Sequence, residues 1–233
     1  MELFSCSVTE RDFNNAGVVY MRVGQLHAAW DLFKGALEKH LAHEKRRTNS
    51  DTAVSKMRQA FIAKAETRYK ELVSGTKLTL VNDLCAPLMV DHHGEYDSFC
   101  FFFVFRDPLE IPKDLPEHGQ HSHIGLTIIL NLALLEHYKN PSSTQVASLY
   151  KLASSLLTGN ASDTPFEILI ANNLAVWHLS NGDISLAERW MVRLKKAMHS
   201  FSQQAWFSSR VNDGLKFNLE WFASPRYKVS PAA

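Results

Sequence analysis

Apolar residues recur at helical spacing along most of the 233-residue chain, and a stretch rich in β-formers and proline interrupts them near the middle. Residues 11 to 23 and 25 to about 46 predict a helical pair, with Tyr20, Leu26, Phe33 and Leu37 filling the space around its crossing. Val54, Met57, Phe61, Ala65 and Leu72 place a third helix over about 51 to 73, after Thr48-Asn49-Ser50, which can supply an N-cap; Gly75 ends it. The periodicity resumes at about Ser122 and runs to Tyr138 through Ile124, Ile128, Leu132 and Leu135. Pro141 closes that helix, and a partner follows from about Ser143 to Leu157. Asp163-Thr164-Pro165, with Glu167 in the first turn, opens the next helix, whose partner runs from Ile184 to about Phe201. A last helix, from about Gln203 to Phe222, carries Phe207, Val211, Leu215 and Phe222. The expected fold is all-α: a helical-repeat superhelix of about three helix pairs and a capping helix, one domain over 1–233 with a loose tail at 224–233.

Residues 76–119 break this pattern. They hold four of the eight prolines, Pro87, Pro108, Pro112 and Pro116, so they cannot form a long helix. Phe99 to Phe105 is rich in β-formers, and Asp91-His92-His93-Gly94-Glu95-Tyr96-Asp97 resembles a hairpin loop, which predicts an inserted β-hairpin. The apolar strand does not alternate with polar residues, so both its faces should be covered. Should one face stay open, Phe102 and Phe103 become a partner or self-association surface. From Lys34 to Lys70 there are ten Lys/Arg against four Asp/Glu, whereas Val81 to Gln120 carries eight Asp/Glu against two Lys/Arg. An acidic insertion is therefore expected near a basic helical pair.

The chain also repeats itself. Phe13-Asn14-Asn15-Ala16-Gly17-Val18-Val19-Tyr20, followed by Gly24, Ala29, Phe33 and Ala36, returns as Ala171-Asn172-Asn173-Leu174-Ala175-Val176-Trp177-His178, followed by Gly182, Ala187, Met191 and Leu194. Gly17, Ala29 and Ala36 remove bulk at helical spacings so that two antiparallel helices can pack closely, and Gly24 suits the tight turn between them. Phe13, Ala16, Gly17, Tyr20, Ala29 and Phe33 resemble the tetratricopeptide (TPR) pattern. With the aromatic hairpin, Asn131-Leu132-Ala133-Leu134 and the Pro-Ala-Ala end, the chain resembles an expanded algal family of short TPR-like proteins, which implies a fold and a broad interaction role without an activity. It departs from ordinary TPR repeats at Leu41 and His199, where proline usually ends the second helix.

In TPR-like stacks the first helix of each repeat lines a concave groove. That resemblance places Asn14, Asn15, Val18 and Arg22, then Asn131, Leu134 and Tyr138, then Asn172, Asn173 and Val176 on a partner-binding face. An asparagine amide can hydrogen-bond an extended peptide backbone through both donor and acceptor, or it can bond a neighbouring helix. TPR domains that clamp a terminal carboxylate need cations at set positions; here Asn14, Thr127, Leu130, Leu169 and Asn172 stand there, and Arg11 alone offers charge, which argues against a chaperone-tail ligand.

Composition adds bounds. The formal net charge is +1, which argues against nucleic acid as main partner. Cys6, Cys85 and Cys100 are odd in number and widely spaced, so an intracellular, cytoplasmic location is expected rather than a disulfide framework. The longest apolar run is too short for a membrane span, and no secretory signal is expected at the N-terminus. His118, His121 and His123, with His92 and His93, could bind zinc or copper as a metal-dependent enzyme would, against the plainer reading of a solvated loop. No Gly-x-Ser-x-Gly elbow or glycine-rich phosphate loop is present. The expected function is a non-enzymatic, cofactor-free adaptor for an unknown protein or peptide; the rivals are the metal site and a structural subunit of a larger assembly.

Overall fold

The computed structural model describes residues 8–46, 53–73, 87–90, 100–112, 120–160, 163–201, 207 and 209–224. Among them the fold is all-α with one antiparallel strand pair, in the order α1 (Glu10–Arg22), α2 (Leu26–Arg46), α3 (Ala53–Val73), β1 (Pro87–Val90), β2 (Cys100–Phe103), α4 (Gln120–Lys139), α5 (Thr144–Ser155), α6 (Thr164–Ser180), α7 (Ile184–Ser200) and α8 (Ser209–Ala223). The described helices lie within a few residues of the expected ones, except that α8 starts later than Gln203. No described helix is long and apolar enough to cross a membrane.

The chain divides into two compact units, and the 76–119 insertion contributes to both. The first comprises Met1–Asn82 with Asp107–Lys139, the second Asp83–Arg106 with Asn140–Ala233. In the first, α2 packs on α1, α3 and α4. Thr9 starts α1 with a capping box: its hydroxyl accepts the Asp12 N–H at 3.2 Å, and Asp12 accepts the Thr9 N–H at 2.7 Å. Gly17 marks the α1–α2 crossing, because a Cβ there would sit 2.6 Å from the Phe33 ring. Phe13, Phe33, Leu32 and Met21 are buried in this core. Lys64 and Arg68 of α3 pair with Asp31, and Arg58 with Glu38. These cations of α3 thus find acids on α2, and of the acidic insertion the two described carboxylates, Asp107 and Glu110, meet Arg22 of α1, while its other acids lie outside the described residues.

In the second unit α6 is buried along nearly its whole length, from Pro165 to Leu179, as suits a helix with apolar residues on every side. It packs on α7 and α5, and α8 packs on β2 and α7. Asp163 opens α6 as expected but does not cap it, since its carboxylate accepts the Thr158 N–H at 2.6 Å and the Thr158 hydroxyl at 2.7 Å. The strand pair runs in the register Pro87↔Phe103, Leu88↔Phe102, Met89↔Phe101 and Val90↔Cys100. The β2 strand ends at Phe103 rather than Phe105, and residues 104–112 have no regular secondary structure. Phe102, Phe103, Val104 and Phe105 are all buried, so the described part of the apolar stretch, from Phe102 on, is covered on both faces.

The two copies of the sequence pattern adopt the same local geometry. Gly24 and Gly182 take φ of 75° and 76°, conformations that a side chain would strain. Around each, the same pair of bonds closes the helix: Gln25 N–H to Tyr20 carbonyl and Gly24 N–H to Met21 carbonyl after α1, Asp183 N–H to His178 carbonyl and Gly182 N–H to Leu179 carbonyl after α6. Both are Schellman ends, which turn the chain directly into α2 and α7.

Candidate functional site

Four asparagines at corresponding places on α1 and α6 hold the main chain of the insertion. An extended residue presents its N–H and C=O on the same side, and a side-chain amide, with one donor and one acceptor in a plane, can meet both. In the first unit, the Ile111 N–H donates to Asn15 Oδ1 at 2.8 Å and Asn15 Nδ2 donates to the Ile111 carbonyl at 2.9 Å. Two residues earlier, the Leu109 N–H donates to Asn131 Oδ1 at 2.8 Å, and its carbonyl accepts from Asn131 Nδ2 at 2.8 Å and Asn14 Nδ2 at 3.0 Å. The three amides also bond one another, Asn131 Nδ2 to Asn14 Oδ1 at 2.9 Å and Asn14 Nδ2 to Asn15 Oδ1 at 3.2 Å.

The second unit repeats the arrangement on α6. The Phe105 N–H donates to Asn173 Oδ1 at 2.9 Å, and Asn173 Nδ2 returns a bond to the Phe105 carbonyl at 2.8 Å. Asn173 Nδ2 also donates to the Tyr150 hydroxyl at 2.9 Å, and burial pushes that phenol's pKa well above its ordinary value, so it stays neutral. The Phe103 N–H donates to Asn218 Oδ1 at 2.9 Å, and its carbonyl accepts from Asn218 Nδ2 at 2.7 Å and Asn172 Nδ2 at 3.0 Å. Asn172 joins the set by accepting from Asn218 Nδ2 at 2.8 Å. The spacing of two between Phe103 and Phe105, and between Leu109 and Ile111, follows the repeat of an extended chain. Beyond the end of β2, the Asn173 amide does for the main chain of Phe105 what a neighbouring strand would do.

The expected partner face is thereby sorted. Asn14, Asn15, Asn131, Asn172 and Asn173 do bind an extended backbone, and that backbone is the protein's own. Val18 and Val176, one turn beyond Asn14 and Asn172, are buried, as is Leu134, so these three belong to the core and not to a partner surface. Phe102 and Phe103 are likewise enclosed, so the alternative in which an open face makes them a partner or self-association surface does not hold for these two residues. Arg22 and Tyr138 are half-buried. Arg22 reaches Asp107 at 3.3 Å and Glu110 at 2.6 Å; burial opposes its charge, and the two carboxylates outweigh that, leaving the guanidinium pKa above its ordinary value.

Asn218 is the site residue that the sequence reading missed. It lies seven residues after Val211 and four before Phe222 on the apolar stripe of α8, and a fully buried amide in such a stripe signals a partner it must satisfy. The metal reading meets less: His92, His93 and His118 and the side chain of His121 lie outside the described residues, and His123 is half-buried on α4. Among the described residues no three His, Cys, Asp or Glu side chains gather as a metal site.

Comparison of the chain with protein-family models, curated proteins and solved structures finds no match.

Proposed function

We propose that this protein is a non-enzymatic adaptor of TPR-like build whose asparagine-bearing helix faces engage extended protein segments. One observation carries the reading: paired amides at corresponding positions, Asn14 and Asn15 on α1 and Asn172 and Asn173 on α6, hold an extended main chain at alternate residues. Recognition of this kind reads the backbone rather than a side-chain code, and it suits a scaffold that accepts segments of varied sequence. The matching Schellman turns at Gly24 and Gly182 favour the TPR-like relation. The test is panning of a multivalently displayed library of random extended peptides, whose avidity registers weak ligands, on the full-length chain and on its Leu109→Pro variant, which lacks one of the bonds that hold the protein's own segment in place. Enriched peptides should lose binding when Asn15 or Asn131 is replaced by Ala; a library that yields no ligand, or ligands indifferent to both substitutions, would overturn the reading.

A further inference from the structure

The two stretches of main chain held by asparagines differ in what surrounds them. At Phe102 to Phe105 every side chain is buried, so this stretch is core. At Asp107 to Pro112 the main chain is gripped equally well, yet Glu110 and Pro112 are exposed, Asp107 and Leu109 are half-exposed, and only Pro108 and Ile111 are buried. The second stretch lies on its unit as a bound peptide lies on a receptor. Its contacts are those of a ligand: two backbone residues clamped by Asn15 and Asn131, one apolar anchor at Ile111, and two carboxylates on the guanidinium of Arg22.

From this we infer that the face formed by Asn14, Asn15 and Arg22 of α1 and Asn131 of α4 is a receptor site for an extended acidic segment of another protein, and that Asp107–Pro112 is a built-in occupant that holds it closed. The ligand class follows from the occupant's chemistry. A carboxylate at one position and another three residues on meet Arg22, an apolar side chain at the next position fills the Ile111 site, and prolines such as Pro108 and Pro112 keep the segment extended before it binds. Binding proceeds by exchange, because the outside segment takes over bonds that the occupant already makes. The occupant, being tethered, competes at an effective concentration in the millimolar range, so the resting protein binds such ligands weakly.

This inference rests on the adaptor reading, and its test separates the two. The probe is a fluorescein-labelled synthetic peptide of residues 106–112, followed by fluorescence anisotropy at low salt with the full-length chain. Asp107→Arg with Glu110→Arg loosens the occupant through two side chains that are exposed enough to leave the core intact, and Leu109→Pro, which removes the N–H given to Asn131, loosens it independently. Both variants should bind the peptide at least tenfold more tightly than the wild type. Adding Arg22→Gln to either should remove that gain for the acidic peptide and leave a peptide with Asn and Gln in place of its carboxylates unaffected. If either folded variant binds the acidic peptide no better than wild type, while panned peptides still bind through Asn15, the inference falls and the adaptor reading stands. If no peptide of any kind binds through Asn15 or Asn131, both fall.

Discussion

Asn173 and Phe105 are joined by two opposed hydrogen bonds, 2.9 Å from the Phe105 N–H to Asn173 Oδ1 and 2.8 Å from Asn173 Nδ2 to the Phe105 carbonyl, in a site closed to water. Each bond adds only about 1 kcal/mol net, but a buried main-chain group left without its partner costs about 1–3 kcal/mol. Asn173→Ala strands both groups of Phe105 and removes the donor to Tyr150. A loss of roughly 2–5 kcal/mol is expected, read from the urea midpoint. Asn15→Ala, at a half-buried position that water can reach, should cost less.

The close crossings give a second prediction. A Cβ at Gly17 would collide with the Phe33 ring, and one at Gly214 with the ring of Phe103, and both rings are held in core. Alanine ordinarily improves a helix by about 1 kcal/mol over glycine. Here overpacking should outweigh that gain, so Gly17→Ala and Gly214→Ala should each lower the melting temperature, consistent with a cost of about 1–3 kcal/mol for forcing atoms into a packed core. An unchanged or higher melting temperature would show that Phe33 or Phe103 can move aside freely.

How far the sequence revealed this arrangement depended on the range of the interaction. Gly24, Gly182 and Asp163-Thr164-Pro165 act within a turn of themselves, and the helices begin and end where those residues indicate. The doubled asparagines at 14–15 and 172–173 were visible as a repeated signal, and their amide chemistry suited an extended backbone. What they hold was not visible, since Asn15 and Ile111 are 96 residues apart and no local spacing links them. The phenylalanine run misled in a related way. Its composition suits a strand to Phe105, but the strand pair ends at Phe103, and the Phe105 backbone is bonded to Asn173 instead. At Asp163-Thr164-Pro165 the helix start is legible, but nothing in that turn discloses that the Asp163 carboxylate is taken by the N–H and hydroxyl of Thr158.

His178 sets the expected pH dependence. It is buried at the C-terminal end of α6 with no hydrogen-bond partner recorded for either ring nitrogen, and its Nδ1 lies 3.7 Å from Asp183 Oδ2. Burial, helped by Lys151 and opposed by Asp183, moves its pKa below the ordinary imidazole value. The unfolded chain keeps the ordinary value and therefore binds the proton more readily. Stability from this residue is thus complete above the ordinary imidazole pKa, declines as pH falls through it, and levels off below the folded value. His178→Phe should flatten the stability profile over that window, by no more than the one-proton limit of about 1.4 kcal/mol per pH unit. A variant with the wild-type slope would assign the dependence to other groups.

Amide hydrogen exchange at Phe103, Phe105, Leu109 and Ile111 tests the central claim most directly, because all four N–H groups donate to asparagine side chains and only the surroundings of the two pairs differ. If Asp107–Pro112 is an exchangeable occupant, Leu109 and Ile111 should exchange through a local opening, with protection at least tenfold below that of Phe103 and Phe105, which should open only with the core. Equal protection at all four positions, changing together with denaturant, would mean that the segment leaves its site only when the protein unfolds, and would contradict the account.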